Sequence, residues 1–106
     1  MRFAVLTHDH PRPHFDLLVE TGPLCRTWRL AGEPDGPPVA AEPIADHRPH
    51  YLTYEGPVSG GRGTVARWDA GRCTAWTEEG GAVRLTLDGE RLRGAFEIDD
   101  QFRRVR

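Results

Sequence analysis

Lysine is missing from this sequence: all fourteen basic residues are arginines. A lysine nucleophile, a Schiff base and the lysine of a phosphate-binding P-loop are thereby excluded. Serine is nearly missing too. Ser59 is the only one, and it lies in a glycine-rich stretch with no strand-to-helix elbow, which argues against serine hydrolase chemistry. No apolar run approaches a membrane span, and the opening MRFAVLTH has no long hydrophobic core of a signal peptide, so a cytoplasmic protein is expected. The two cysteines, Cys25 and Cys73, sit in strand-like runs rather than in a CxxC spacing and read as buried thiols. Charge of one sign is also lacking. A net charge of -2 gives no general attraction for nucleic acid or an anionic membrane, so any polyanion has to be recognised locally. Arginine suits such local recognition, because its planar fork matches phosphate.

What is present is short elements and many turns. The 106 residues suffice for one domain, 1–106, with a single core. Twelve glycines and nine prolines against 38 % hydrophobic residues favour an all-β chain. Arg2 to Thr7, Pro13 to Thr21 and Leu24 to Leu30 read as the first three strands, the last two forming a hairpin across Gly22-Pro23. Ala31 to Pro43, rich in proline, reads as a surface loop. Tyr51 to Glu55 is expected to be a short strand and Gly56 to Gly63 a flexible turn. Thr64 to Asp69 and Arg72 to Thr77 are expected to pair across Ala70-Gly71. Ala82 to Leu87 and Leu92 to Ile98 form a hairpin around Asp88-Gly89. Seven or eight short, mostly antiparallel strands without helical periodicity predict a small closed or nearly closed β-barrel.

The chemistry-bearing stretch is THDHPRPHFDLLVET, residues 7–21. Alternation from Pro13 onward puts Phe15, Leu17 and Val19 on one side of a strand and His14, Asp16, Leu18 and Glu20 on the other. An imidazole and a carboxylate about 7 Å apart at Cα on one strand face can reach one ion or one phosphate. His8 precedes the Pro-rich turn and can fold back toward the same face if its strand pairs with the next. With His10, His47 and His50 there are five histidines, all in the first half of the chain. Mixed imidazole and carboxylate donors suit manganese, iron, zinc or nickel better than magnesium or calcium. Read singly, each histidine is a solvated loop residue. His14-x-Asp16 with a distal histidine is also how iron(II) oxygenases with two histidines and one carboxylate begin, although nothing here marks a keto-acid site.

Four motifs in order resemble the 3′-phosphoesterase domain family of bacterial DNA ligase D. They are His8 with His14-Phe15-Asp16 and Glu20; Asp46-His47 with Tyr51 and Glu55-Gly56; Gly61-Arg62-Gly63-Thr64-Val65 with Trp68-Asp69-Ala70-Gly71; and Leu85 to Gly94. The resemblance implies a compact barrel with a divalent metal, usually manganese (zinc or another transition metal being the alternative), that trims 3′ ends in DNA repair. The family removes a 3′-terminal ribonucleoside and then the 3′-phosphate. Carried over residue by residue, His8, Asp16 and His47 would be metal ligands converging at the mouth of the barrel. His14 would lie against the scissile phosphate, with Tyr51 contacting it or ordering its surroundings. The implied partner is the 3′ end of DNA or of RNA-tipped DNA, together with a separate ligase or polymerase and no membrane. Where the family has an arginine clamp two residues after the aspartate, this chain has Leu18, and the family's lysine falls near Gly32. Arg12, Arg26, Arg48 and Arg62, in or beside the site segments, are the candidate substitutes. A catalytically silent metal-binding barrel that serves as a nucleic-acid-end or protein interaction module is the alternative function.

Overall fold

Leu17 and Val19 point one way from their strand and Asp16 and Leu18 the other, and all four are buried. A strand covered on both faces needs a core on each side, and the computed structural model, which describes residues 1–105, has two. The strands are β1 (Arg2–His8), β2 (His14–Glu20), β3 (Cys25–Leu30), β4 (Val39–His47), β5 (Gly56–Pro57), β6 (Thr64–Glu79), β7 (Ala82–Gly89), β8 (Arg93–Ile98) and β9 (Gln101–Arg104). They run in the order β1-β2-β3-β4-β9-β8-β7-β6, with β6 pairing back onto β1 and β5 hanging on β6. Every pairing is antiparallel. The chain is thus an all-β, closed eight-stranded antiparallel barrel, as the strand pattern predicted.

The barrel interior is filled by one cluster to which Phe3, Leu17, Trp28, Leu85, Phe96 and Phe102 contribute from six strands. Full burial of each such side chain stabilises the fold by about 1.5–3 kcal/mol. The second cluster lies on the outer wall, where Ala4, Leu6, Leu18, Cys25 and Val65 are roofed by Leu52. Roof and wall together make a pocketed layer outside the barrel, and the candidate site lies there.

Five local expectations are corrected. Ala31 to Pro43 is not all loop, because Val39–Pro43 belong to β4. Pro43 is tolerated since β4 pairs with β9 only at Val39 and Ala40, which leaves the outer edge of Pro43 without a partner. Residues 51–55 form no strand; Pro49–Leu52 make a 3₁₀ turn with proline at its start, which drops Leu52 onto the wall. Thr64 to Thr77 is no hairpin but part of one long strand, whose first half pairs with β1 and second half with β7. Gly71 is there for close approach rather than for a turn: a Cβ on it would lie 2.1 Å from the Asp88 carbonyl oxygen of β7. Strand β7 runs through Asp88-Gly89, and the turn moves to Glu90–Leu92, where the carboxylate of Asp69 accepts all three backbone N–H groups. Finally, β9 lies beyond the last expected strand and closes the ring between β8 and β4.

Candidate functional site

Antiparallel pairing of β1 with β2 sets Leu6 opposite Asp16 and His8 opposite His14. Successive side chains alternate faces, so His8, His14 and Asp16 share the outer wall with Leu6 and Leu18. The expected position at the mouth of the barrel is corrected accordingly: the parity of these residues is opposite to that of Leu17 and Val19, which enter the interior.

The three groups converge, each offering a ligand atom within 4.8 Å of the other two. His8 Nδ1 lies 3.0 Å from Asp16 Oδ2, and His14 Nε2 lies 3.0 Å from Asp16 Oδ1. Asp16 is 2 % exposed and His14 8 %. His14 donates its Nδ1–H to the Arg12 carbonyl at 2.8 Å, so that in the neutral imidazole Nε2 is a lone pair aimed at a carboxylate oxygen. Neither His14 Nε2 nor Asp16 Oδ1 has a hydrogen-bond partner. Two buried acceptors facing each other unpaired are costly, and a cation between them removes that cost. His8 carries the same demand, since its nitrogens face Asp16 Oδ2 and, at 2.8 Å, the Arg62 carbonyl. A neutral imidazole has one N–H for these two acceptors, so a cation completes this pair as well.

His47 reaches the same wall through a bulge. Thr27 pairs with Ile44 but Cys25 pairs with His47, so β4 carries an extra residue and His47 rather than Asp46 falls opposite Cys25. The His47 Nδ1–H is donated to the Ala45 carbonyl at 2.9 Å, which leaves Nε2 free. His8, His14 and His47 therefore each have one nitrogen held by a backbone carbonyl, the arrangement that orients imidazoles as metal ligands. The donor set fits a divalent transition metal.

Around these groups lies an open cavity of about 550 Å³, whose walls include His8, Asp16, Arg29, His47, Arg48 and Tyr51. His47 shares this cavity without joining the three-residue cluster, and its ring packs edge-on against Tyr51 at 5.7 Å. His10 also lines the cavity, whereas His50 is stacked among Tyr51 and Tyr54 and does not. His14 opens instead onto a groove beside it, lined by Arg12, Pro13, Arg29 and Glu42.

The four candidate arginines separate. Arg48 lines the cavity, its guanidinium 5.8 Å from the centre of the Tyr51 ring, and Arg12 lines the groove. Arg62 lines the cavity, but its guanidinium is bound to Ser59 of its own loop, and the carbonyl is what touches the site, on His8. Arg26 lines neither, being ion-paired with Glu78 at 2.9 Å and laid over Trp28 and Trp76.

Three residues at or near the site were not anticipated. Asp9 accepts the Thr64 N–H at 2.7 Å and clamps the 62–64 turn that presents the Arg62 carbonyl to His8. Gly63 (φ +80°) is required there, because a Cβ would lie 2.2 Å from Asp9 Oδ1. Arg29 stands directly across from Asp16 in the β2–β3 pairing and lines both cavity and groove. The alternation of β3 was the available signal: it places Cys25, Thr27 and Arg29 on one face. Cys25 lies beneath the site as an unpaired thiol, pushed up from the ordinary cysteine pKa by burial, so it is inert.

A small closed barrel with two histidines and an aspartate gathered under a roof on its outer wall places the chain among β-barrel domains that carry a candidate metal site on the outside of the barrel. The family model of the DNA ligase D 3′-phosphoesterase domain matches residues 6–99, and the chain belongs to that family. It is 30 % identical over 92 % of its length to the multifunctional non-homologous end joining protein LigD of Pseudomonas aeruginosa, of which it spans only 13 %. Family membership supports a role in processing 3′ ends during DNA repair. No helix among the described residues is long and apolar enough to cross a membrane.

Proposed function

We propose that this domain is a divalent-metal-dependent phosphoesterase that removes a 3′-ribonucleoside or a 3′-phosphate from nucleic-acid ends, with manganese as its ion. The observation that carries the reading is the buried Asp16 carboxylate, its Oδ1 unpartnered and its Oδ2 against the doubly engaged His8. His8 and Asp16 would hold the metal, with His47 as the third ligand from across the cavity. A bound divalent ion polarises a phosphoryl oxygen and lowers the pKa of a bound water. His14 is rigidly oriented by Arg12 and presents Nε2 as the group that moves a proton at the transferring phosphoryl. The Tyr51 hydroxyl is the donor that orients the phosphate, and Arg48 and Arg12 line the approaches of the 3′ end. A separate ligase or polymerase takes over the trimmed end.

The test is release of inorganic phosphate or nucleoside from 3′-phosphate-ended and ribonucleotide-ended primers by the purified protein with manganese. His14→Ala is expected to lower kcat by about 10²–10³-fold, the scale of losing a group that acts on the reacting centre. Its manganese affinity, measured by calorimetry, should stay near that of the unmodified protein, whereas His47→Ala should weaken manganese binding at least tenfold. If His14→Ala loses the metal and His47→Ala keeps it, the ligand set is the tighter cluster of His8, His14 and Asp16. Equal inertness of the unmodified protein and His14→Ala across several divalent ions and phosphoesters would leave a metal-binding interaction module.

A further inference from the structure

The outer face of β2 carries no cation of its own. Beyond Asp16 the next residue on that face is Leu18, wholly buried beneath the roof with Leu6, Cys25 and Leu52. The charge comes from the neighbouring strand. Arg29 faces Asp16 in β2 on one side and Glu42 in β4 on the other, both in direct register, yet its guanidinium forms an ion pair with neither. Its Nε is buried and has no hydrogen-bond partner. An arginine set between two carboxylates ordinarily pairs with one of them, and a buried guanidinium N–H left without an acceptor is costly. Arg29 also lines both openings of the site: the cavity with His8, Asp16 and His47, and the groove with Arg12 and His14.

We propose that Arg29 is the phosphate-binding residue of this site, its guanidinium, with Nε unpartnered, receiving the phosphoryl group beside the cluster of His8, His14 and Asp16. The proposal rests on the phosphoesterase reading for its substrate but not for its anion. Planar, bidentate N–H donors match two phosphate oxygens, and the half-buried setting strengthens each bond relative to the same contact in water. Of the other arginines at the site, Arg62 is bound to Ser59 and Arg12 and Arg48 are exposed, which leaves Arg29 as the half-buried cation beside the cluster.

The experiment titrates inorganic phosphate into the metal-free protein and follows the arginine Nε–H resonances by NMR, with that of Arg29 assigned by its loss in Arg29→Met. The Arg29 resonance is expected to shift saturably. Phosphate affinity should fall at least tenfold in Arg29→Met, lie between in Arg29→Lys, and stay unchanged in Arg84→Met, whose arginine is exposed and paired with Glu97. With manganese and a 3′-phosphate primer, Arg29→Met should lose about 100-fold in kcat/KM, the low end for removing a donor to developing charge, while manganese affinity stays within about twofold. An unmoved resonance, equal phosphate binding by Arg29→Met, or equal losses in Arg84→Met would overturn the proposal, whether or not the protein turns over. Phosphate bound through Arg29 by a protein that hydrolyses no phosphoester would uphold the clamp and remove the phosphoesterase reading. Thermal unfolding of both Arg29 variants separates loss of binding from loss of fold.

Discussion

Asp16→Asn is expected to raise the thermal stability of the metal-free protein while abolishing manganese-dependent turnover. Both effects follow from the same atoms. Asp16 Oδ1 faces the bare Nε2 of His14 at 3.0 Å, and neither has a partner. An asparagine amide in that place donates to His14 Nε2, while its carbonyl oxygen faces His8 Nδ1, 3.0 Å away, as the carboxylate oxygen did. One buried hydrogen bond gained and one unsatisfied pair removed are worth about 1–2 kcal/mol. In a domain of this size that is a rise in Tm of about 5–10 °C. The uncharged amide is a poor metal ligand, and loss of a Lewis acid worth several kcal/mol, at about 1.4 kcal/mol per decade of rate, lowers turnover by at least about 10³-fold. Unfolding scans in the presence of a chelator, alongside primer assays with manganese, check both halves. A variant less stable than the unmodified protein would mean that the carboxylate and His14 are not an unfavourable pair, and with that the case for a cation between them falls.

Such opposition between stability and function explains why the site was more legible in the sequence than some of the scaffold. His14 and Asp16 stand two apart in a strongly alternating strand, so local pattern alone puts them on one face. His8 follows once β1 and β2 pair across the short Pro-rich turn. The arrival of His47 was legible only through the family resemblance and not from periodicity, because it depends on one extra residue in β4 that exchanges His47 for Asp46 on the wall, and a bulge leaves no periodic trace in composition. Arg29 was legible by alternation, yet its importance comes from the partner it lacks, which only coordinates display. The turns failed for a shared reason. Ala70-Gly71 and Asp88-Gly89 each carry the local chemistry of a turn, but they lie against one another across β6 and β7, where Gly71 pairs with Gly89. Glycine serves close backbone approach there, and a tertiary contact overrode the local signal.

That close approach is organised by Asp69, and Asp69→Ala is expected to cost about 3–5 kcal/mol, in the range reserved for breaking a buried network. The carboxylate is 3 % exposed. Its Oδ1 accepts from the N–H groups of Ala70 and Glu90, both at 2.9 Å, and its Oδ2 from Arg91 and, at 2.8 Å, from Leu92. Three of these donors are consecutive residues of the β7–β8 turn, so one side chain does what a two-residue turn would otherwise do through its own backbone. Its removal strands the buried Leu92 N–H and frees the turn that seats Leu92 in the interior cluster. Against a usual domain stability of about 5–15 kcal/mol, the expected loss lowers Tm by at least about 15 °C. Asp69 lines neither the cavity nor the groove. Below the new transition, turnover per folded molecule should therefore match the unmodified protein, which calorimetry and primer assays on one sample can establish together. A variant that unfolds at the original temperature would show that the turn is held by β7–β8 pairing alone. A variant that stays folded but loses turnover would instead connect this end of the barrel to the metal site.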